Sequence, residues 1–177
     1  MNKNGRYVVY VGMFAALCTV ATYIKVPFGT GAMVHLGTAM IFTLSILFGG
    51  KYSGPSAAIG SAFFDVLMGF SPYTLWSFFI KGIAGYIAGS VCHARGRNGE
   101  SFIQNLLALL LASVWTLVGY IFAWTAVIGS YQAALGNIPS SLMSSTMGMI
   151  VALPLSIVLR KALSKAGYLK LDNSLNK

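Results

Sequence analysis

Two charged side chains lie inside otherwise apolar stretches, Asp65 and Lys81. A lone charge in the middle of a bilayer costs at least ~2.5–3.5 kcal/mol on insertion scales, so such residues usually face a cavity or each other. The short break at Ser71-Pro72 sets them at similar depth on consecutive helices. Two readings stand: a buried pair that fixes how the two helices pack, or groups that meet a ligand. A second set gathers around them. His35, Tyr73, Trp76, Ser77, Tyr120, Trp124, Asn137 and the serines Ser140, Ser141, Ser144 and Ser145 all fall toward one end of their apolar runs. Aromatic faces with a few polar groups are what a small-ligand pocket is made of. An interfacial Trp/Tyr belt explains Tyr73, Tyr131 and Trp124 equally well, but it does not explain Asp65, Lys81 or the serines. His35 alone fits a solvated helix start, and Trp115, nearer mid-run, fits packing.

The elements that must position these groups follow from composition. Of 177 residues, 56% are hydrophobic and 8% charged. Soluble domains carry about 25% charged residues. With a mean hydropathy of +0.75, the chain reads as a polytopic membrane protein, and not as a disordered chain, a collagen or a water-soluble enzyme. Each span needs ~20 apolar residues. The breaks give six: Tyr7–Ile24, Val34–Phe48, Gly54–Phe70, Thr74–Cys92, Phe102–Ile128 and Ser140–Leu159. The connectors are Lys25-Val-Pro-Phe-Gly-Thr-Gly-Ala32, Gly49-Gly50-Lys51, Ser71-Pro72, His93–Glu100 and Gly129–Pro139. The first run is too long for a signal peptide followed by so membranous a chain, and reads as a retained span. The expectation is an all-α membrane protein, one compact six-transmembrane-helix bundle over residues 1–177.

The net charge of +9 comes from 12 Lys/Arg against three acids. Its distribution explains it without nucleic acid. With the N-terminus cytoplasmic, the cytoplasmic segments hold Lys3, Arg6, Lys51, Arg95, Arg97, Arg160, Lys161, Lys165, Lys170 and Lys177, and the external connectors hold Lys25. That alternation through six spans predicts both termini in the cytoplasm, in a cell membrane. Small residues allow close helix approach: Gly85 and Gly89 suit internal packing, whereas Gly12/Ala16 and Ala15/Thr19 on the first span suit either packing or a partner. Cys18 and Cys92 read as small apolar fillers without metal-ligand spacing.

Several chemistries find no support. No GxxxxGK[ST] loop, HExxH, CxxC or paired-carboxylate set appears, so no metal or cofactor is expected and the chain cannot energise itself with ATP. Gly60-Ser61 has no His or Asp partner for a membrane serine protease. Three acids and no evident inverted repeat argue against an ion-coupled carrier. A self-sufficient small carrier or channel remains the alternative to a binding subunit.

Four stretches carry a family resemblance: Val34-His-Leu-Gly-Thr-Ala-Met-Ile-Phe42, Leu47-Phe-Gly-Gly-Lys-Tyr-Ser-Gly-Pro55, Ile59-Gly-Ser-Ala-Phe-Phe-Asp-Val-Leu67 and Phe79-Ile-Lys-Gly-Ile-Ala-Gly85. The sequence resembles the substrate-binding S components of energy-coupling factor (ECF) vitamin transporters. It is most similar to the riboflavin-transporter-like group, which includes hydroxymethylpyrimidine, pyridoxine and pantothenate binders. The resemblance implies a six-helix bundle that is not an enzyme. Such a bundle binds a vitamin at its outer face and docks on a transmembrane coupling subunit with two cytoplasmic ATPases, toppling to deliver its ligand. It implies a pocket built from the connector after the first span and from the fourth, fifth and sixth spans. Here that means Phe28 to His35, Trp76, Lys81, Tyr120, Trp124, Asn137 and Ser141, favouring a pyridine or pyrimidine vitamin over riboflavin and pantothenate. It also implies docking through a small-residue face on the first span, where Gly12, Ala15, Ala16 and Thr19 stand in for an AxxxA pattern.

Overall fold

The computed structural model describes residues 2–28 and 32–167, with side chains described outside 25–28 and 32–34. Lys170 and Lys177 of the basic tail, and the side chains of Lys25 and Phe28, lie outside the described set. The elements run α1 (Lys3–Tyr23), β1 (Lys25–Phe28), β2 (Ala32–His35), α2 (Gly37–Phe48), α3 (Gly50–Leu67), α4 (Thr74–Cys92), α5 (Phe102–Ile128), α6 (Tyr131–Gly136) and α7 (Ile138–Lys165). Six of these helices fall at the six expected spans, although α2 has only 12 residues, and α6 is a short addition.

Local chemistry explains the boundaries. Asn2 caps α1 by accepting from Gly5 N at 2.9 Å. The chain then meets Val26-Pro27, and a residue before proline is driven to extended conformation. It forms an antiparallel hairpin in which Lys25 faces His35 and Val26 faces Val34. The second span is therefore shorter than expected: Val34 and His35 belong to β2, and the helix begins at Gly37. Twelve residues rise ~18 Å, well short of a bilayer's ~30 Å core. The helix is tolerated because it is enclosed. Its side chains from Ile41 to Leu47 are all buried, packed by α1, α3, α4 and α7.

Gly49 alone separates α2 from α3, at φ +75°, the left-handed region that favours glycine. The third helix thus starts at Gly50, four residues before the expected position. Pro55 lies within it and has no N–H to give the Lys51 carbonyl. The Tyr7 hydroxyl donates to that carbonyl instead, at 3.0 Å, and ties α1 to α3. Along the rest of α3, small residues admit α4. A Cβ on Gly89 would run into Gly50 N, and one on Gly85 would stand 2.8 Å from Ser53 O. The Ser53 hydroxyl bonds the Gly85 carbonyl at 2.8 Å across this seam. The internal role expected for the two glycines holds. So does the filler role of the free, buried Cys18 and Cys92.

A 3₁₀ turn, Ser71–Tyr73, joins α3 to α4. Trp115 Nε1 donates to Ile80 O at 3.1 Å between α4 and α5, the packing role expected of it. The connector after α5 is not a loop: Ser130 caps α6 through Ala133 N, and α7 starts at Ile138 with Pro139 in its first turn. The stretches Lys3–Tyr23, Ser71–Cys92, Phe102–Ile128 and Tyr131–Lys165 are long and apolar enough to cross a membrane.

The two ends of the bundle differ. At one end lie Lys3, Arg6, Lys51, Arg95, Arg97, Arg160, Lys161 and Lys165, from the start of α1, the α2–α3 junction, the α4–α5 connection and the end of α7. Arg160 closes this end by donating to Ile46 O at 3.1 Å and Asn98 O at 2.8 Å. At the other end the hairpin, the α3–α4 turn, the end of α5 and the start of α7 surround a cavity.

Candidate functional site

The cavity has a volume of about 260 Å³. A deeper recess of about 50 Å³ adjoins it, reaching Thr22, Ile41 and Ser61. Each wall comes from one face of a helix. On α5 the lining residues are Thr116, Tyr120 and Trp124, spaced by four; on α4 they are Ser77 and Lys81, also spaced by four. On α7 they are Ser140, Ser141, Ser144 and Ser145, and α3 contributes Phe64 and Asp65. His35, at the end of the hairpin, and Thr38, at the start of α2, complete the lining.

The aromatic wall is a stacked pair. The Tyr120 and Trp124 rings have centroids 5.5 Å apart and planes at 27°. The Tyr120 hydroxyl lies 3.1 Å from the Ser77 hydroxyl, so the ring orientation is fixed. Lys81, 8% exposed, reaches across to Thr38 Oγ1 at 3.3 Å. Its Nζ sits 5.4 Å from the Tyr120 ring centroid, within cation–π range. Asp65, 9% exposed, stands near Ser77, and its Oδ2 is buried without a hydrogen-bond partner among the described residues. Among the described residues no direct ion pair joins Asp65 to Lys81. The two charges face one cavity and stay apart.

The hydroxyls differ in the same sense. Elsewhere in the bundle they return to the backbone one turn earlier: Thr22 to Cys18 O at 2.7 Å, Thr43 to Ala39 O at 2.7 Å, Thr116 to Ala112 O at 2.8 Å. The hydroxyls of Ser140, Ser141, Ser144 and Ser145 have no such bond among the described residues, and all four line the cavity.

From the residues singled out in the sequence, the structure brings together His35, Asp65, Tyr73, Ser77, Lys81, Tyr120, Trp124, Ser140, Ser141, Ser144 and Ser145. It does not bring in Trp76 or Asn137. Trp76 precedes Ser77, so it points about 100° away from the Ser77–Lys81 face and is 38% exposed. The Asn137 amide is occupied at the end of α6, donating to Ala133 O at 3.3 Å. Sequence reasoning missed Thr38, Phe64, Phe70 and Thr116. Of these, Thr116 was reachable, because it lies one turn before Tyr120 on the same stripe.

The small-residue face of α1 divides in two. Gly12 and Ala16 are exposed, and nothing lies within 4 Å of a Cβ on Gly12. Ala15 and Thr19 are buried against α3, with Thr19 Oγ1 bonded to Gly60 O at 2.9 Å. That contact corrects the expectation that all four residues present a docking face: Ala15 and Thr19 are internal.

A family model for the S component of the ECF-type riboflavin transporter matches residues 2–161. The thiamine precursor transporter HmpT of Lactococcus lactis subsp. cremoris (strain MG1363) is 25% identical over 171 residues, covering 95% of this chain and 93% of that protein. The solved structure of the S component of a bacterial ECF transporter superposes with a TM-score of 0.66 at 18% identity, covering 91% of this chain and 99% of that one. At that identity the shared property is the fold. The helical bundle, its apolar spans and the match along nearly the whole chain lead to one assignment: the chain belongs to the ECF-type riboflavin transporter S component family, the substrate-binding subunits of vitamin-uptake transporters, which are integral to the plasma membrane.

Proposed function

We propose that this subunit captures a single-ring vitamin precursor bearing an amino group, of the hydroxymethylpyrimidine kind, ahead of pyridoxine and well ahead of pantothenate and riboflavin. One observation carries the reading. The cavity holds a stacked aromatic pair and two separated charges in about 260 Å³, the small end of the ~300–1,000 Å³ range of ligand pockets. One ring fills such a space; a three-ring flavin exceeds it. The ring would lie against Tyr120 and Trp124. Its amino group would donate to the open Asp65 Oδ2, and a ring nitrogen or hydroxyl would meet Lys81 or Ser141. The similarity to a thiamine precursor transporter supports the same substrate class.

The ligand enters from outside, because the cavity is at the end away from the basic cluster and positive charge marks the cytoplasmic side. Both termini are then cytoplasmic. Inward delivery draws on a transmembrane coupling subunit with two cytoplasmic ATPases, contacted through the exposed Gly12–Ala16 face of α1. Calorimetric titration of the purified chain with hydroxymethylpyrimidine, pyridoxine, pantothenate and riboflavin tests the substrate. The aminopyrimidine should bind tightest, and tightest binding by riboflavin would overturn the reading. For docking, Ala16→Trp should keep ligand affinity and lose co-purification with the coupling subunit. Retained co-purification would remove α1 from the interface.

A further inference from the structure

A second cavity of about 260 Å³ lies at the basic end, between the α4–α5 connection and the last turns of α7. The vitamin site does not use it. Its rim is apolar and turned outward: Phe102 is 57% exposed and Ile157 52%. Its mouth carries Arg160 and Lys161. Its interior is mostly apolar around a few polar groups that are incompletely satisfied among the described residues. Asn105, 5% exposed, donates from Nδ2 to Gly99 O at 2.7 Å, while its buried Oδ1 has no hydrogen-bond partner. Glu100 is ion-paired with Arg160, its Oε1 3.8 Å from Nη1.

We infer that this cavity binds the head group of a glycerophospholipid that carries a hydrogen-bond donor, either a glycerol hydroxyl or an ammonium. Each part of such a lipid has a counterpart. The phosphate suits Arg160 and Lys161, since basic pockets between spans on the cytoplasmic side attract lipid phosphates. The donor suits Asn105 Oδ1, an acceptor that a buried site leaves open only at a cost. The acyl chains suit Phe102 and Ile157, at the lipid-facing margin of α5 and α7. A phosphocholine head group offers the phosphate and no donor, so it serves as the discriminating probe.

The test is native mass spectrometry of the delipidated full chain, titrated with phosphatidylglycerol, phosphatidylethanolamine or phosphatidylcholine in detergent. Phosphatidylglycerol and phosphatidylethanolamine adducts should exceed phosphatidylcholine adducts by about fivefold, the worth of a hydrogen bond to an open buried acceptor. Lys161→Gln should lower phosphatidylglycerol retention by about fivefold, the worth of one cation near a phosphate. Asn105→Leu should level the three lipids. If that variant fails to fold because the Gly99 contact is lost, Ile157→Trp, which blocks only the rim, should reduce all three adducts. Equal retention of all three lipids by the unaltered chain, or adducts unchanged in Lys161→Gln and Ile157→Trp, would overturn the inference. Loss of lipid adducts to millimolar inorganic phosphate would overturn it too, leaving a free-anion site in its place.

Discussion

Asp65→Asn separates ligand recognition from fold stability, because the two should move in different directions. In the folded chain Asp65 Oδ2 is buried, accepts no hydrogen bond and has no ion-pair partner among the described residues. Its charge is carried at a desolvation cost that no contact fully offsets. Asparagine keeps the shape and removes the charge, so the ligand-free protein should melt no lower than the parent. Ligand binding should suffer. A hydrogen bond to a charged acceptor contributes about 1.5–3 kcal/mol and a neutral one about 0.5–1.5. The loss is therefore about 1–1.5 kcal/mol, or roughly 5–15-fold in Kd for an amino-bearing ligand. Calorimetry gives the affinity, and a melting curve without ligand gives the stability. Unchanged affinity would refute the contact. A large fall in melting temperature would also refute the reasoning, since it would make Asp65 a structural ion-pair member after all.

Other changes probe separate parts of the molecule. Trp124→Ala should weaken ligand binding by about 2–12-fold through loss of stacking, measured by calorimetry. In the same assay Trp76→Ala, on the exposed side of α4, should stay within about twofold; a larger effect would place Trp76 in the site. Gly89→Ala should destabilise the bundle by about 1–3 kcal/mol, because its Cβ would meet the backbone of Gly49 and Gly50; an unchanged thermal melt would mean α3 and α4 are less closely packed. Burial lowers the pKa of the His93 imidazole, the Ile46 carbonyl partly opposes this, and Arg160 adds to the lowering. The folded pKa is thus below the unfolded value of about 6.5. Stability from neutral His93 is present above that pH and is lost as pH falls through the folded pKa. The melting temperature should decline between pH 6.5 and 5, and His93→Gln should flatten that decline.

Much of the bundle was legible because a bilayer imposes crude and long-range rules. Span length, alternation of basic residues and the Gly85/Gly89 spacing each depend on residue type and count, which a sequence records directly. The hairpin was not legible. Lys25 to His35 carries no clear two-residue alternation, and its pairing depends on α1 and α2 bringing its ends together. The start of α2 was misread for the same reason, since Val34 and His35 look as apolar-adjacent as the helix that follows. The site was legible in its depth and not in its direction. Trp76 and Ser77 lie at the same depth, but which of them faces inward depends on the rotation of α4, set by Gly85 and Gly89 against α3. Asn137 was misassigned because the six-residue α6, too short for a periodic signal, claims its amide.

The cavity's serines bear on whether it is a site or a packing defect. Among packed, lipid-facing spans no water is at hand, so each buried hydroxyl must find a partner within the protein. Those of Thr22, Thr43, Ser53 and Thr116 do so through backbone carbonyls one turn back. A defect formed by poor packing would be lined in the same way, with apolar atoms outward and hydroxyls folded back; genuinely empty cavities are apolar. Among the described residues, Ser140, Ser141, Ser144 and Ser145 instead make no such bond on one face of α7, and the Asp65 Oδ2 that lines the same cavity has no donor either. A helix that leaves several hydroxyls open beside a buried Asp65 and Lys81 forgoes stability unless something polar enters, either water in the empty state or a ligand in the bound one. The ring stack of Tyr120 and Trp124 distinguishes the two occupants. Water gains nothing from an aromatic face, whereas a flat polar ring can use both the face and the hydroxyls. The same chain thus keeps its hydroxyls closed where it must pack and open where the proposed ligand would lie.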